Sequence, residues 1–333
     1  VCSSSHRPRN NSPPRAVRRA FGAMCDITEY LKEGNTAVIT GASTGIGRAT
    51  AVMCAARGMH VWLADIDEAE NLQARDAVRS AAKSGEQKIE AVTVDVADPA
   101  ALEALRDRVF ADGGACNFLM NNAGTGLGGG ALTPMDMFHK VMGVNAYGPI
   151  HGVVAFLPKM KESGQPGLIV NTGSKQGITM PPGNLTYNVS KAALKAYTEG
   201  LEHELGKERR ESGGKLRAAL LVPGWTNTSI AVKSGRAKAA KEGKTYDDSS
   251  AFFSEEKPAS GAWMPKQVVD FMLEELSKGR FYIICPDNDV DQETDKLRMT
   301  WTMQDITQDR PPLSRWHPDH ADKFKEFLAA NGK

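Results

Sequence analysis

The sequence predicts an α/β chain built on a doubly wound parallel sheet, folded as a single domain. Short apolar runs alternate with helical patterns from about residue 35 to residue 285. The first run, Thr36–Thr40, opens directly into a glycine-rich turn, Gly41-Ala-Ser-Thr-Gly45-Ile-Gly47. No linker-like break interrupts that alternation, so the strands belong to one sheet covered by helices on both faces.

In chain order, Thr36–Thr40 is a buried-type strand, and a helix over 48–57 follows the glycine turn and stops at Gly58. A second strand, His60–Ala64, leads to Asp65 and a polar helix over 68–83. A third strand over 89–96 precedes a helix over 98–111, and Asn117–Met120 forms the fourth strand, entering Asn121-Asn122-Ala-Gly124. After a glycine-rich loop, a long helix spans 133–161, with Gly143, Gly148 and Pro149 interrupting its pattern. Strands over 168–171 and 216–222 flank a helix over 185–210, and a helix over 265–278 with a strand over 281–284 completes the alternation.

The totals exclude several classes. With 333 residues, 41% hydrophobic and 24% charged, the chain has the composition of a soluble globular protein that can bury a full core. Net charge is +1, yet residues 1–25 carry Arg7, Arg9, Arg15, Arg18 and Arg19 and no acid, so the remainder carries −4. Such a body has no basic excess to attract nucleic acid. Five scattered cysteines lack disulfide or metal-ligand spacing, which fits a reducing compartment and no metal. No run reaches the ~18 apolar residues of a membrane span. The basic leader, taken as residues 1–32, reads either as a disordered segment or as a transit peptide, giving a cytoplasmic or an organellar location.

The chemistry concentrates in two places. A glycine turn between strand and helix lets a pyrophosphate approach the backbone and meet the helix N-terminus. Asp65, at the end of the second strand, can accept hydrogen bonds from ribose hydroxyls and repels a 2′-phosphate, which favours NAD over NADP. Farther on, Tyr187 and Lys191 stand at i and i+4, on one face of a helix. A lysine there can draw the phenol down from its usual pKa of about 10 and fit it for general acid–base work on an alcohol or ketone. Ser174 follows the apolar run Leu168–Asn171 and could hydrogen-bond the same substrate oxygen.

Thr40-Gly-x-x-x-Gly-x-Gly47, Asp95-Val96, Asn121-Asn-Ala-Gly124, Ser174, Tyr187-x-x-x-Lys191 and Pro223-Gly224 occur in the order found in short-chain dehydrogenases/reductases. The chain resembles that family over about residues 33–286, which implies a Rossmann fold. The resemblance implies a catalytic set of Ser174, Tyr187, Lys191 and Asn145, the last holding a water in a proton relay with the lysine. It also implies cofactor contacts from Gly41, Ser43, Gly45, Ile46, Gly47, Asp65, Asp95, Val96, Asn122, Tyr187, Lys191, Pro223 and Thr228. Gly173 stands where serine is frequent and Thr226 where valine is common, and neither departure removes a catalytic group. Family members assemble through their fourth and fifth helices, so a homodimer or homotetramer is expected.

Residues 225–263 form an insertion at the position of the family's substrate lid. Trp225, Phe252, Phe253 and Trp263 either greet a bulky apolar substrate or anchor the lid to the core. The extension 287–333 is longer than the family core needs; Phe324, Phe327 and Leu328 can share one helical face, and His317 and His320 read as packing or surface residues. The expected activity is hydride transfer between NAD and a small-molecule secondary alcohol or ketone. Two other readings stand beside it: an NADP-dependent carbonyl reductase using Arg48, and a cofactor-binding scaffold whose catalysis is vestigial.

Overall fold

The computed structural model describes residues 27–113, 115–241, 243–246 and 260–333. Residues 1–26 of the basic leader, with Phe252 and Phe253, therefore lie outside the described residues, whereas Ile27–Glu29 form a short 3-10 turn and Tyr30 and Leu31 pack into the core. Seven strands form one parallel sheet: β1 (Thr36–Thr40), β2 (His60–Asp65), β3 (Ile89–Thr93), β4 (Phe118–Asn121), β5 (Gly167–Thr172), β6 (Leu216–Val222) and β7 (Tyr282–Ile284). Their order is β3-β2-β1-β4-β5-β6-β7, so the winding reverses between β1 and β4. At such a reversal a crevice opens outside the carboxyl ends of the strands.

The helices are α1 (Gly45–Ala56), α2 (Glu68–Ser80), α3 (Pro99–Gly113), α4 (Met135–Met142), α5 (Gly148–Glu162), α6 (Gln176–Thr179), α7 (Leu185–Ser212), α8 (Ile230–Lys241), α9 (Pro265–Ser277), α10 (Gln292–Thr307) and α11 (Ala321–Ala330). Side chains alternate across the sheet, so the apolar runs feed two cores. Ala37 and Ile39 face Ala51 and Cys54 of α1 and Val268 of α9, whereas Val38 faces Leu105 of α3, Phe156 of α5 and Leu201 of α7. Each fully buried Val, Leu, Ile or Phe among them contributes about 1.5–3 kcal/mol of transfer free energy. Cys54, Cys116 and Cys285 are free thiols within these cores, and burial pushes Cys54 up to about 12.

Three departures from the sequence-based expectation bear on the site. The third strand ends at Thr93 rather than 96, leaving Val94, Asp95 and Val96 as a loop at the crevice rim. The first helix starts at Gly45, so the glycine turn forms its first turn. The long helix over 133–161 is not continuous: a π-helical turn, Gly143–Tyr147, separates α4 from α5. Gly143 and Gly148 bracket that turn, which points Asn145 inward.

The extension builds a small core of its own. Trp301 is 5% exposed, donates Nε1–H to Ser314 Oγ at 2.8 Å, and packs edge-on against Phe324. Arg310 lies 3.7 Å over its ring. His317 and His320 meet edge to face, their ring centroids 5.7 Å apart, and among the described residues no group of three or more metal-ligating side chains gathers. Among the same residues no helix is long and apolar enough to cross a membrane.

Candidate active site

The crevice at the β1/β4 reversal is a cleft of about 690 Å³. At one end stands the glycine turn. Gly41 has φ +64°, a left-handed conformation that favours glycine, and a Cβ on Gly47 would lie 2.2 Å from the Gly41 carbonyl oxygen. Gly47 is thus not a wall of the cleft; it lets α1 close onto the turn. Replacing Gly47 with alanine forces that turn to move, and nucleotide affinity is expected to fall at least tenfold, read by titration of intrinsic fluorescence.

The start of α1 suits an anion. Thr44 occupies the cap position without a side-chain cap bond, because its hydroxyl pairs with Ser229 Oγ at 3.0 Å. The first-turn N–H groups therefore lack a side-chain acceptor from the cap residue. Asp65 lines the same end: its Oδ2 accepts from Ser43 N–H (3.0 Å) and its Oδ1 from Asp67 N–H (3.2 Å). Ser43 is 2% exposed and its hydroxyl donates to Glu70 (3.4 Å), so its polar atoms serve these two carboxylates. These features fit a dinucleotide: an open helix start, a glycine cradle and a rim carboxylate.

Gly45, Ile46, Asp95, Val96, Pro223 and Thr228 also line the cleft. Asn122 lines it too, but its side chain is engaged with the scaffold. Its Nδ2 donates to the carbonyls of Thr40 and Gly41, both at 3.2 Å, and its Oδ1 accepts from Thr172 (3.3 Å). It ties the ends of β1, β4 and β5 together.

At the other end, Ser174, Tyr187 and Lys191 converge. Ser174 sits two residues past β5, where Gly173 N–H still bonds the Leu221 carbonyl (2.7 Å) and Ser174 Oγ accepts from Gln176 N–H (3.1 Å). Tyr187 and Lys191 share one face of α7, the ammonium 5.9 Å from the tyrosine ring centroid. Lys191 is 4% exposed and donates to the Thr172 carbonyl at 2.9 Å. The expected lowering of the Tyr187 phenol is not found among the chain's own groups. Burial raises it, and the hydrogen bond with Ser174 only partly offsets that. Burial likewise pushes Lys191 down to about 8.

Asn145 does not reach the cleft wall; it is fully buried behind it. Its Oδ1 accepts from Thr125 N–H (2.8 Å), and its Nδ2 donates to the Thr125 carbonyl (3.0 Å) and Ser190 Oγ (3.2 Å). Gly124 separates it from Lys191: a Cβ there would lie 3.4 Å from Asn145 Oδ1 and 3.8 Å from Lys191 Nζ.

The insertion contributes Trp225, Thr228, Ile230 and Lys233 to the lining of this cleft. Its ends are stapled by Asn227 N–H to the Trp263 carbonyl (2.8 Å) and Trp263 N–H to the Trp225 carbonyl (2.9 Å). Lys233 of α8 pairs with Glu70 of α2, and Ser234 Oγ accepts from Gly126 N–H (3.0 Å). The two described aromatics divide the expected roles: Trp225 lines the cleft, whereas Trp263 packs edge-on to Phe271 at 5.8 Å, against the core. The sequence reading missed Thr172, Lys175 and Gln176 as lining residues. Their only signal was proximity to Ser174 at a strand end.

The fold and this geometry define a dinucleotide-binding α/β protein, and comparison with known proteins gives the family. The profile of the short chain dehydrogenase family matches residues 35–239, and the chain belongs to that family. It is 35% identical over 204 residues to "Probable oxidoreductase EphD" of Mycobacterium tuberculosis, a match covering 61% of this chain and only 33% of that protein. It is 34% identical over 199 residues to 1-deoxy-11-beta-hydroxypentalenate dehydrogenase of Streptomyces avermitilis, covering 59% of this chain and 70% of that one. A solved short-chain dehydrogenase/reductase from Burkholderia phymatum, in complex with NAD, superposes with a TM-score of 0.69 at 31% identity, covering 85% of this chain and 97% of that one. A metagenomic short-chain oxidoreductase in complex with NADP shares the fold at a TM-score of 0.57 and 24% identity, covering 76% and 97% respectively.

Proposed function

We propose that the protein is an NAD-dependent oxidoreductase that interconverts a secondary alcohol and its ketone, the substrate being bulky and apolar. One observation carries this reading: Ser174, Tyr187 and Lys191 meet at one end of a cleft whose other end holds an open helix start and Asp65. When bound there, a nicotinamide supplies or accepts the hydride at the substrate carbon. Ser174 orients the substrate oxygen. The Tyr187 hydroxyl, already bonded to Ser174, exchanges a proton with that oxygen. The Lys191 ammonium, anchored on the Thr172 carbonyl, favours the phenolate electrostatically and would hold the ribose hydroxyls of a bound cofactor. Asn145, its side chain committed to Thr125 and Ser190, holds the 124–125 backbone and α7 in register beside Lys191, where a relay water would sit.

NAD is supported by the Asp65 carboxylate at the far end, against which a 2′-phosphate would be pushed; the nearby Glu70 carboxylate is balanced by Lys233. The complex of the Burkholderia relative with NAD agrees in kind. An apolar substrate is supported by Trp225, Val144 and Ile230 on the cleft walls. A homodimer or homotetramer through the α4–α5 stretch and α7, the fourth and fifth helices of the sequence-based expectation, belongs to the same reading, and the exposed Tyr147 and Val154 supply apolar surface for it.

The test is turnover of a panel of apolar secondary alcohols with NAD or NADP, followed by nicotinamide absorbance, in the wild type and in Asp65→Ser. Serine keeps an acceptor for Ser43 N–H and removes the charge. The wild type is expected to prefer NAD, and the substitution to reduce that preference at least tenfold. An unchanged preference sinks the cofactor assignment, and no turnover of any alcohol by the wild type sinks the activity.

A further inference from the structure

Beside Ser174 lies a buried ion cluster that the proposed chemistry does not use. Lys175 borders the cleft, its side chain 17% exposed, and its ammonium reaches two carboxylates. Its ammonium lies 3.1 Å from Asp287 Oδ2 and contacts Asp295 of α10, whose side chain is 3% exposed. Asp287 Oδ2 also accepts from Trp225 N–H (3.1 Å), and its Oδ1 accepts from Val290 N–H (2.9 Å). Arg298 Nη1 approaches the other oxygen of Asp295 at 3.5 Å. A Cβ on Gly224 would lie 2.9 Å from both the Lys175 ammonium and Asp287 Oδ2, so the missing side chain makes room for the pair. No other hydrogen-bond donor among the described residues serves Asp295 Oδ2.

The cluster thus joins three segments that meet at the substrate end: the turn carrying Ser174, the Pro223–Trp225 turn opening the lid, and the C-terminal extension. The Lys175 carbonyl also accepts from Ile178 N–H (3.0 Å) and Thr179 N–H (2.9 Å), so holding this residue holds α6. Charges this deep gain little stability, because desolvation offsets their attraction, and an apolar replacement of the whole set would fold as well. What they supply is registration. A hydroxyl displaced by about 1 Å from its working position can cost on the order of 10²-fold in rate. The family match ends at residue 239, so α10 lies beyond it.

We propose that Lys175, clamped by Asp287 and Asp295, is a positioning residue through which the C-terminal extension sets the Ser174 turn and the substrate mouth for the chemical step. The inference rests on the dehydrogenase reading above.

The decisive variant is the double substitution Lys175→Met with Asp295→Leu, which removes the ammonium together with one carboxylate and leaves Asp287 accepting from the Trp225 and Val290 N–H groups. It is expected to keep a Tm close to that of the wild type and an NAD affinity within twofold, while kcat falls 10- to 100-fold. Amide exchange over residues 174–180 is expected to quicken at least tenfold with α7 unchanged. Lys175→Arg, which retains the cation, should restore kcat to within threefold of the wild type. A double variant with wild-type kcat, or with unchanged exchange over 174–180, overturns the clamp. If the wild type itself turns over no alcohol, the dehydrogenase reading fails separately, and the exchange comparison still judges the clamp.

Discussion

Tyr187→Phe is expected to leave NAD affinity within about twofold of the wild type and to lower kcat by roughly 10²–10⁴-fold, the usual contribution of a positioned acid–base group. The phenyl ring keeps its place on α7 beside Lys191, so the cleft wall is preserved. Only the hydroxyl that bonds Ser174 is lost. The two effects separate cleanly: fluorescence titration reads the binding, and nicotinamide absorbance reads the rate. A variant with more than a tenth of wild-type kcat would place the proton transfer elsewhere.

Lys191→Met is expected to move stability and activity in opposite directions. The ammonium is buried, held down to about 8 by desolvation, and among the described residues no carboxylate pairs with it. An ordinary lysine titrates near 10.4, so carrying this charge into the fold costs up to about 3 kcal/mol at pH 7. Methionine fills a similar volume without the charge but forfeits the bond to the Thr172 carbonyl, worth about 1 kcal/mol. The net expectation is a gain of about 1–2 kcal/mol, a Tm several degrees higher at pH 7, and at least a 10²-fold loss of kcat. The sign with pH follows from the depressed pKa. Below about 8 both folded and unfolded wild type carry the proton, and the penalty is complete. As pH rises from there toward the unfolded value the folded protein sheds the proton first, and the penalty fades. The Tm advantage of the variant should therefore shrink steadily between pH 8 and pH 10.5. An advantage that is constant or grows with pH would show that the ammonium is not the source.

The fold and much of the cleft were legible before any coordinates. A parallel strand buried on both faces needs an apolar run, and the central strands β1, β4 and β5 are buried along their whole length, whereas the edge strand β3 admits Glu90. A turn that brings backbone amides toward a phosphate needs glycine where a Cβ would collide, as Gly41 and Gly47 show. The i, i+4 spacing of Tyr187 and Lys191 places them together on any helix. Helix periodicity also located the apolar face of α11, on which Phe324 is buried.

Other features depend on contacts between segments far apart in the chain, and no local pattern encodes them. Asn122 lines the cleft at the place expected of it, but no local pattern shows that its amide also ties together Thr40, Gly41 and Thr172. The balance of charge at Tyr187 and Lys191 is a matter of how much water burial removes, which spacing cannot report. Whether an aromatic of the lid faces the cleft or the core was equally unreadable, and packing sent Trp225 one way and Trp263 the other. The sequence by itself determined the sheet, the glycine turn and the pairing of Tyr187 with Lys191, because those follow from backbone geometry and periodicity within one element. Only the tertiary structure decided that Lys175 meets Asp287 and Asp295, more than a hundred residues away, because desolvation and ion pairing take effect only once distant segments exclude water together.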